Sequence, residues 1–172
     1  GIATATASLD DFYLDLHDRE ALAARVHPLL ATRGVPGTHD LPLLRRTLAA
    51  IRAGEPVRLP IFDKGSDRRA PESEWPRIDA PLRLFVLEGW CLGVEPQPEA
   101  ALLAPVNTLE AEHDADGRWR RFVNDRLRTE YLPLWREFDL LTMLRAPSFA
   151  VIADWRDQPE AALRAAGAAK AM

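Results

Sequence analysis

Two short apolar runs, each closed by acidic residues, constrain the fold of this 172-residue chain more than any other feature. Residues 2–9 lead into Asp10 and Asp11, and residues 82–87 lead into Glu88. Apolar runs of this length, bounded by turn residues, are typical of strands that are buried on both faces of a parallel sheet. The sequence therefore predicts two buried strands, each with a carboxylate at its carboxyl end.

Helical patterns lie between and after these runs. The further predicted elements are helices over residues 18–30, 41–53, 117–138 and 148–166, and a third strand over residues 139–144. Pro133 is expected to bend or interrupt the long helix around it. Residues 55–81 are rich in proline and are predicted to form a long irregular loop, a kind of segment that is usually functional or disordered. The alternation predicts an α/β fold, with a mostly parallel sheet flanked by helices.

Composition excludes several other classes of protein. Hydrophobic residues make up 47% and charged residues 28%, as in an ordinary globular domain. A net charge of −4 argues against a nucleic-acid-binding surface. The single cysteine, Cys91, excludes an intramolecular disulfide and a cysteine-based zinc site. No apolar run reaches the roughly 20 residues of a membrane span, and the first residues do not resemble a secretory signal. We expect a cytoplasmic protein that binds neither membranes nor nucleic acid.

The acidic strand ends are the first candidates for chemistry. Ligands of parallel α/β sheets bind beyond the carboxyl ends of the strands, where Asp10, Asp11 and Glu88 are predicted to lie. A carboxylate at such a place can hold Mg²⁺ or accept a proton from a substrate hydroxyl. The structural alternative stays open: an aspartate that caps the next helix, and a glutamate paired with an arginine.

Basic residues provide the second group of candidates. Lys64, Arg68 and Arg69 surround a glycine in residues 63–69, an arrangement that suits an anionic ligand such as phosphate, although a solvated charged loop has the same composition. His39 lies in a turn-rich segment and is either an acid–base group or a structural histidine. Arg156 lies on a predicted helix and either faces a site or forms a surface ion pair.

Several common catalytic motifs are absent from this sequence. It contains no Gly-x-x-x-x-Gly-Lys-Ser/Thr, no Gly-x-Ser-x-Gly and no Gly-x-Gly-x-x-Gly. These residues alone therefore do not build the usual phosphate cradle of P-loop enzymes.

Four longer segments nevertheless resemble the D-glycerate 3-kinase family, within the phosphoribulokinase/uridine kinase branch of P-loop kinases. They are Ser-Leu-Asp-Asp-Phe-Tyr-Leu at residues 8–14, the run ending in Arg-Gly-Val-Pro-Gly-Thr-His-Asp at residues 27–40, residues 60–65, and Leu-Glu-Gly-Trp-Cys-Leu-Gly at residues 87–93. Shorter matches follow as far as residues 155–158. The resemblance covers essentially the whole chain, and the Arg-Gly-Val-Pro-Gly-Thr-His-Asp run is specific to this group.

The resemblance implies a role for each candidate. Asp10 corresponds to the base that acts on the acceptor hydroxyl, with Asp11 as a second candidate, and Glu88 corresponds to the acid that holds Mg²⁺ directly or through water. Arg156 would belong to a lid-like region that binds the nucleotide. The residues that would face the acceptor and the transferred phosphoryl group are Thr38, His39, Asp40, Lys64, Arg68 and Arg69. The implied cofactors are ATP and Mg²⁺, and the implied partner is a small acceptor such as D-glycerate.

The chain departs from the family at both ends. Family members carry a Walker A segment ahead of Ser-Leu-Asp-Asp-Phe-Tyr and a further helix beyond the last residue of this sequence. We therefore expect residues 1–172 to form one P-loop kinase-like domain that is incomplete at both ends and inactive by itself. The predicted function is ATP-dependent phosphorylation of a hydroxyl of D-glycerate or a similar acceptor. The alternatives are a kinase for a nucleoside-like or pantothenate-like acceptor, and a non-catalytic kinase-like domain that binds a ligand or partner.

Overall fold

The computed structural model describes residues 1–79, 81–148, 151, 152 and 155. It divides the chain into two units, Gly1–Asp139 and Leu140–Met172. The elements of the first unit are β1 (Thr4–Ser8), α1 (Leu16–Arg25), α2 (Leu41–Ala53), β2 (Val57–Arg58), β3 (Phe62–Asp63), β4 (Arg68–Arg69), β5 (Arg77–Ile78), β6 (Leu84–Glu88), α3 (Thr108–His113), α4 (Arg118–Arg126) and α5 (Leu132–Trp135). Single 3₁₀ turns lie at Leu9–Phe12, Pro28–Ala31, Glu72–Glu74 and Glu99–Leu102, and a π-helical turn lies at Leu127–Tyr131.

The two strands predicted from the apolar runs are confirmed as β1 and β6, and they pair in parallel. The expectation that both faces are buried is wrong. Ala7 is buried and Phe85 packs against the core, whereas Leu84 and Val86 are 50% and 39% exposed. The reason is that the sheet of the described residues has two strands here, and its core packs on one face.

Helix α2 begins and ends at the predicted residues because both of its caps are local. The carboxylate of Asp40 accepts a hydrogen bond from the backbone N–H of Leu43, and Gly54 ends the helix in the left-handed conformation with φ of 68°. The helix predicted over residues 18–30 is shorter: α1 ends at Arg25, and Pro28 opens a separate 3₁₀ turn. Proline has no N–H to continue an α-helix, but it is tolerated at the start of a new turn.

The long helix predicted over residues 117–138 is interrupted, as expected, next to Pro133. Helix α4 passes into the π-helical turn Leu127–Tyr131, and α5 follows with Pro133 in its first turn. The last helical residue is Trp135, three residues before the predicted end.

Two predictions about irregular and extended segments are wrong. Residues 55–81 are not an irregular loop, since β2 pairs with β5 and β3 pairs with β4, both antiparallel. Strands of two residues are too short to produce a recognisable alternation of polar and apolar residues. Residues 140–148 contain no helix or strand, and Leu140, Met143 and Leu144 are 81%, 72% and 95% exposed. Apolar composition alone does not make a strand, because a strand also needs a neighbouring strand to satisfy its backbone hydrogen bonds.

The predicted helix over residues 148–166 lies mostly outside the described residues, and so does Arg156. Among the helices that the structure describes, none combines the length and apolar composition that a membrane-spanning segment requires.

Candidate active site

The carboxyl ends of β1 and β6 bring the predicted acids to one edge of the sheet. Ser8 pairs with Glu88, and the chain turns directly after Ser8, whose hydroxyl accepts a hydrogen bond from the backbone N–H of Asp10. Gly89 makes the close approach of the two ends feasible, because a Cβ at this position would lie 2.7 Å from the Cβ of Leu9. Glu88, at the end of β6, and Asp10, in the turn that follows β1, therefore lie at the same end of the two strands.

The two carboxylate oxygens of Asp10 have different surroundings. Oδ2 accepts a hydrogen bond from Nζ of Lys64 at 2.7 Å. Oδ1 is buried and has no hydrogen-bond partner among the described residues. An anionic oxygen with unused lone pairs, fixed by a cation on its other oxygen, is equipped to accept a proton from a hydroxyl group.

His39 lies close to Asp10 and is 5% exposed. Its Nδ1 is 2.8 Å from the hydroxyl of Tyr131, and its ring stacks on that of Tyr13 with centroids 4.5 Å apart. Burial lowers the pKa of His39 to about 4, and the negative charge of Asp10 opposes this shift in part. The imidazole is therefore neutral at physiological pH. Asp10, Tyr13, His39 and Tyr131 are called the strand-end cluster below.

The Tyr13 hydroxyl and the Cys91 thiol, which lie in the same region, keep their protons. Burial raises the pKa of Tyr13, and the Asp10 carboxylate raises it further. Burial, followed by the charge of Asp10, also raises the pKa of the Cys91 thiol to about 12. Cys91 is thus a packed thiol and not a nucleophile, since nucleophilic cysteines react as thiolates.

Three predicted site residues have side chains that hydrogen-bond the protein itself. The carboxylate of Asp11 accepts from the backbone N–H of Phe62 at 3.0 Å. The buried hydroxyl of Thr38 donates to the carbonyl of Val35 and accepts from the N–H of Gly34, so it closes the turn before His39. The hydrogen bonds of the Asp11 and Thr38 side chains therefore fix the backbone around the site. A direct contact of either side chain with the substrate stays a prediction.

Asp40 is the third of these residues. Besides capping α2, its carboxylate accepts from the guanidinium of Arg69 at 3.2 Å. Arg69 also donates to the carbonyl of Tyr13 and, through its backbone N–H, to the carboxylate of Asp15. Arg69 therefore ties its strand to the segment that carries His39 and Asp40.

The remaining predicted cations lie on the basic hairpin, residues 62–69, formed by β3, β4 and their turn. Lys64 contacts Asp10, as described, while Arg68 is exposed and pairs across the hairpin with Asp63. The structure thus brings Lys64 together with Asp10, whereas Arg69 serves to position the hairpin.

A pair of arginines that the sequence did not single out fixes the hairpin turn. The carboxylate of Asp67 lies 2.7 Å from Nη2 of Arg19 and 2.5 Å from Nη1 of Arg33. Arg19 is fully buried, and Asp67 has a positive φ of 55°. Burial raises the pKa of Asp67, but the hydrogen bonds and charges of both arginines outweigh it, so the net pKa lies below the usual value. Arg19, Arg33 and Asp67 are called the hairpin clasp below.

A cavity of about 520 Å³ adjoins the strand-end cluster. His39, Asp40, Gly37, Leu14 and Phe122 are among the residues that line it. Gly37 has a φ of 102°, and a Cβ there would lie 2.7 Å from the ring of Phe122. The glycine of the Gly-Thr-His-Asp run is therefore required both by its backbone conformation and by the close approach of α4.

The carboxylates of this region fit a Mg²⁺ site in which water and substrate phosphates supply most of the ligands. No group of three His, Cys, Asp or Glu side chains within the described residues is placed to hold a metal ion. Glu88 is exposed at the end of β6. Mg²⁺ in phosphoryl-transfer sites is usually bound by one or two carboxylates together with water and substrate phosphates, and this arrangement fits that mode and not an all-protein cage.

Comparison with known proteins shows which proteins this chain is similar to. No family model matches the sequence. The chain is 33% identical, over 92% of its length, to the uncharacterized kinase mug58 of Schizosaccharomyces pombe. It is 31% identical, over 96% of its length, to the chloroplastic D-glycerate 3-kinase of Arabidopsis thaliana. It spans 59% and 36% of the lengths of these two relatives.

Solved structures agree with these relatives. The D-glycerate 3-kinase of Cryptococcus neoformans matches 99% of this chain with a TM-score of 0.80 and 29% identity, and the match covers 63% of that structure. The resemblance of this chain to the D-glycerate 3-kinase family, predicted from its motifs, and its P-loop kinase type of α/β fold are therefore confirmed.

Proposed function

We propose that the full-length protein is an ATP-dependent kinase that phosphorylates a hydroxyl of D-glycerate or of a similar small acceptor. The observation that carries this proposal is the Asp10 carboxylate, which has one oxygen held by Lys64 and the other without a partner among the described residues. Relatives named as D-glycerate 3-kinases support the choice of acceptor.

The residues of this chain have separable tasks in such a reaction. ATP, when bound, supplies the phosphoryl group. Oδ1 of Asp10 would accept the proton of the acceptor hydroxyl as the hydroxyl oxygen bonds to the γ-phosphorus, while the bond between that phosphorus and the bridging oxygen breaks and ADP leaves with the bridging oxygen. Lys64 donates a hydrogen bond to Oδ2 and so holds the carboxylate in place, which leaves Oδ1 to face the acceptor hydroxyl.

The other predicted residues surround this centre. Glu88 would hold Mg²⁺, directly or through water. Thr38, Asp40 and Arg69 would shape the acceptor pocket through the backbone segments that they fix, and Arg68 is the exposed cation available to an anionic ligand. Arg156 remains a candidate for nucleotide binding. Kinases of this type work largely by positioning and charge neutralisation, so no covalent intermediate on the protein is required.

A coupled assay of ADP release by the full-length protein, with Mg²⁺ and ATP, tests the proposal. D-glycerate, uridine and pantothenate are supplied in separate reactions, and D-glycerate is expected to stimulate ADP release most. Stimulation by uridine or pantothenate alone would contradict the acceptor and preserve the kinase class. If no acceptor stimulates turnover although ATP binds, the kinase proposal fails in favour of a non-catalytic binding domain.

A further inference from the structure

The hydroxyl of Tyr131 joins the turn before α2 to the side chain of His39. It accepts a hydrogen bond from the backbone N–H of Gly37 at 2.8 Å and lies 2.8 Å from Nδ1 of His39. Tyr131 is fully buried and belongs to the π-helical turn, a feature that often occurs at functional sites.

The direction of the hydrogen bond between Tyr131 and His39 follows from counting donors. A backbone N–H can only donate, so the Tyr131 hydroxyl is the acceptor in its bond with Gly37. Burial raises the pKa of Tyr131, so the phenol keeps its hydrogen, and a buried hydroxyl hydrogen normally has an acceptor. Within the described residues, the acceptor in contact with this hydroxyl is Nδ1 of His39.

We infer that Tyr131 is a positioning residue, which fixes His39 as the tautomer protonated on Nε2 so that the site offers a neutral N–H donor to a carboxylate or hydroxyl oxygen of the acceptor. This inference rests on the proposed function, because it assigns part of the acceptor recognition to His39. The ligand class is a small hydroxy acid.

Three further observations support this role for His39. Its Nε2 is buried and has no hydrogen-bond partner in the part of the chain that the structure describes. The residue lines the cavity beside the strand-end cluster, and stacking on Tyr13 fixes the plane of its ring. A buried N–H without a hydrogen-bond partner is energetically unfavourable. A ligand oxygen that accepts a hydrogen bond from Nε2–H of His39 would remove this cost.

A neutral imidazole at His39 also leaves the carboxylate of Asp10 available as the base. A protonated imidazole beside Asp10 would attract the carboxylate and occupy the oxygen that must accept the proton. The neutral form donates to the ligand and leaves Oδ1 of Asp10 available. An acceptor that lacks the matching oxygen would leave the N–H unpaired, which is the kind of penalty from which substrate specificity arises.

The tautomer can be measured directly by long-range ¹H–¹⁵N NMR of the full-length protein labelled at histidine. The substitution His39→Gln identifies the His39 signals by their loss. In the wild type at pH 7 we expect protonated Nε2 and unprotonated Nδ1. In Tyr131→Phe, which removes the hydroxyl alone, we expect a mixture of both tautomers. Tyr13→Phe is the matched control: it removes the other tyrosine hydroxyl, keeps the stacked ring, and is expected to leave the tautomer unchanged.

Ligand binding and kinetics test the recognition step. D-glycerate is expected to shift the Nε2 signal of His39 in the wild type, and Tyr131→Phe is expected to raise KM for D-glycerate about tenfold with a smaller change in kcat. A wild-type signal protonated on Nδ1, an unchanged tautomer in Tyr131→Phe, or an Nε2 signal that D-glycerate does not move would each overturn the inference. If another acceptor supports turnover, the proposed substrate fails, and the tautomer in the wild type and in Tyr131→Phe still decides the role of Tyr131.

Discussion

The two ends of one hairpin turn carry ion pairs of equal length and opposite character. Lys64 holds Asp10 at 2.7 Å, with side chains that are 46% and 23% exposed. Three residues later, Asp67 holds Arg19 at the same 2.7 Å, but Arg19 is completely buried. Exposed pairs typically contribute about 0–1 kcal/mol, whereas removal of one partner from a buried pair costs about 3–5 kcal/mol.

The difference shows that burial, and not distance, separates a contact that can change during a reaction from one that holds the fold. Lys64 and Asp10 can rearrange around a ligand at little cost because water already solvates both groups in part. Arg19 has no such freedom, since its Nε and Nη1 find no other hydrogen-bond partner in the described residues. The hairpin clasp therefore fixes the turn, and the turn presents Lys64 to Asp10.

The largest expected effect is on catalysis, from removal of the charge of Asp10. Asp10→Asn in the full-length protein should lower kcat about 10³-fold, since an amide is not a general base. Nucleotide affinity, measured by calorimetry, should change little. Asp11→Asn is the matched control, because its amide oxygen can still accept from the N–H of Phe62. We expect less than a tenfold loss for Asp11→Asn, so equal losses in the two variants would contradict the assignment of the base to Asp10.

The next largest effect is on stability, from removal of the charge in the clasp. Asp67→Asn tolerates the positive φ but leaves Arg19 without a counter-ion. We expect a loss of about 3 kcal/mol in the free energy of unfolding by urea, at the lower end of the range because Asp67 is 29% exposed. Asp63→Asn, in the exposed part of the same turn, is the control and should shift the midpoint far less. Equal shifts would mean that burial does not distinguish the two ends of the hairpin.

The pH dependence of the clasp gives an independent check. The net pKa of Asp67 in the folded state lies below the usual value, so its stabilising effect is complete above the unfolded pKa of about 4 and is lost as the pH falls through the folded pKa. The stability difference between the wild type and Asp67→Asn should therefore be constant from pH 5 to 7 and shrink below about pH 4. A difference that grows on acidification would contradict the ion pair.

The features that could be predicted from sequence are those that depend on local chemistry or on simple strand geometry. Asp40 and Gly54 cap α2 from adjacent positions, so both bounds of this helix followed from the sequence. The common end of β1 and β6, where Ser8 lies opposite Glu88, was also predictable, because parallel strands end at the same edge of a sheet.

The features that sequence reasoning missed depend on contacts between distant residues. Tyr131 reaches His39 across 92 positions, and Asp67 reaches Arg33 across 34. A tyrosine on an apolar helix face signals burial but does not indicate the partner of its hydroxyl. Asp11 has the same chemistry as Asp10, and the sequence does not show that its carboxylate accepts a hydrogen bond from the backbone N–H of Phe62, while Asp10 contacts Lys64.

A smaller effect is expected where the strand ends approach. Gly89→Ala would place a Cβ 2.7 Å from the Cβ of Leu9, so one of the two backbones must move. We expect a loss of about 2 kcal/mol in unfolding free energy, together with a fall in kcat because Glu88 shifts relative to Asp10. Gly65→Ala in the hairpin turn is the control, since the nearest atom to its Cβ is a carboxylate oxygen of Asp63 at 3.2 Å. Wild-type stability of Gly89→Ala would show that the strand ends are not held this closely.

The smallest effect on stability is expected at Lys64, at the exposed end of the hairpin turn. Substitution of Lys64 is also the most direct test of the comparison between the two ion pairs. Lys64→Met keeps much of the apolar stem and removes the charge, so the free energy of unfolding should change by less than about 1 kcal/mol. Turnover should nevertheless fall about tenfold, because Asp10 loses the hydrogen bond that orients its carboxylate. Lys64→Arg should restore part of the activity. A stability loss as large as that of Asp67→Asn would show that the contact of Lys64 with Asp10 is structural. Unchanged turnover would show that Asp10 does not depend on Lys64. Either result would remove the distinction between the two ends of the turn.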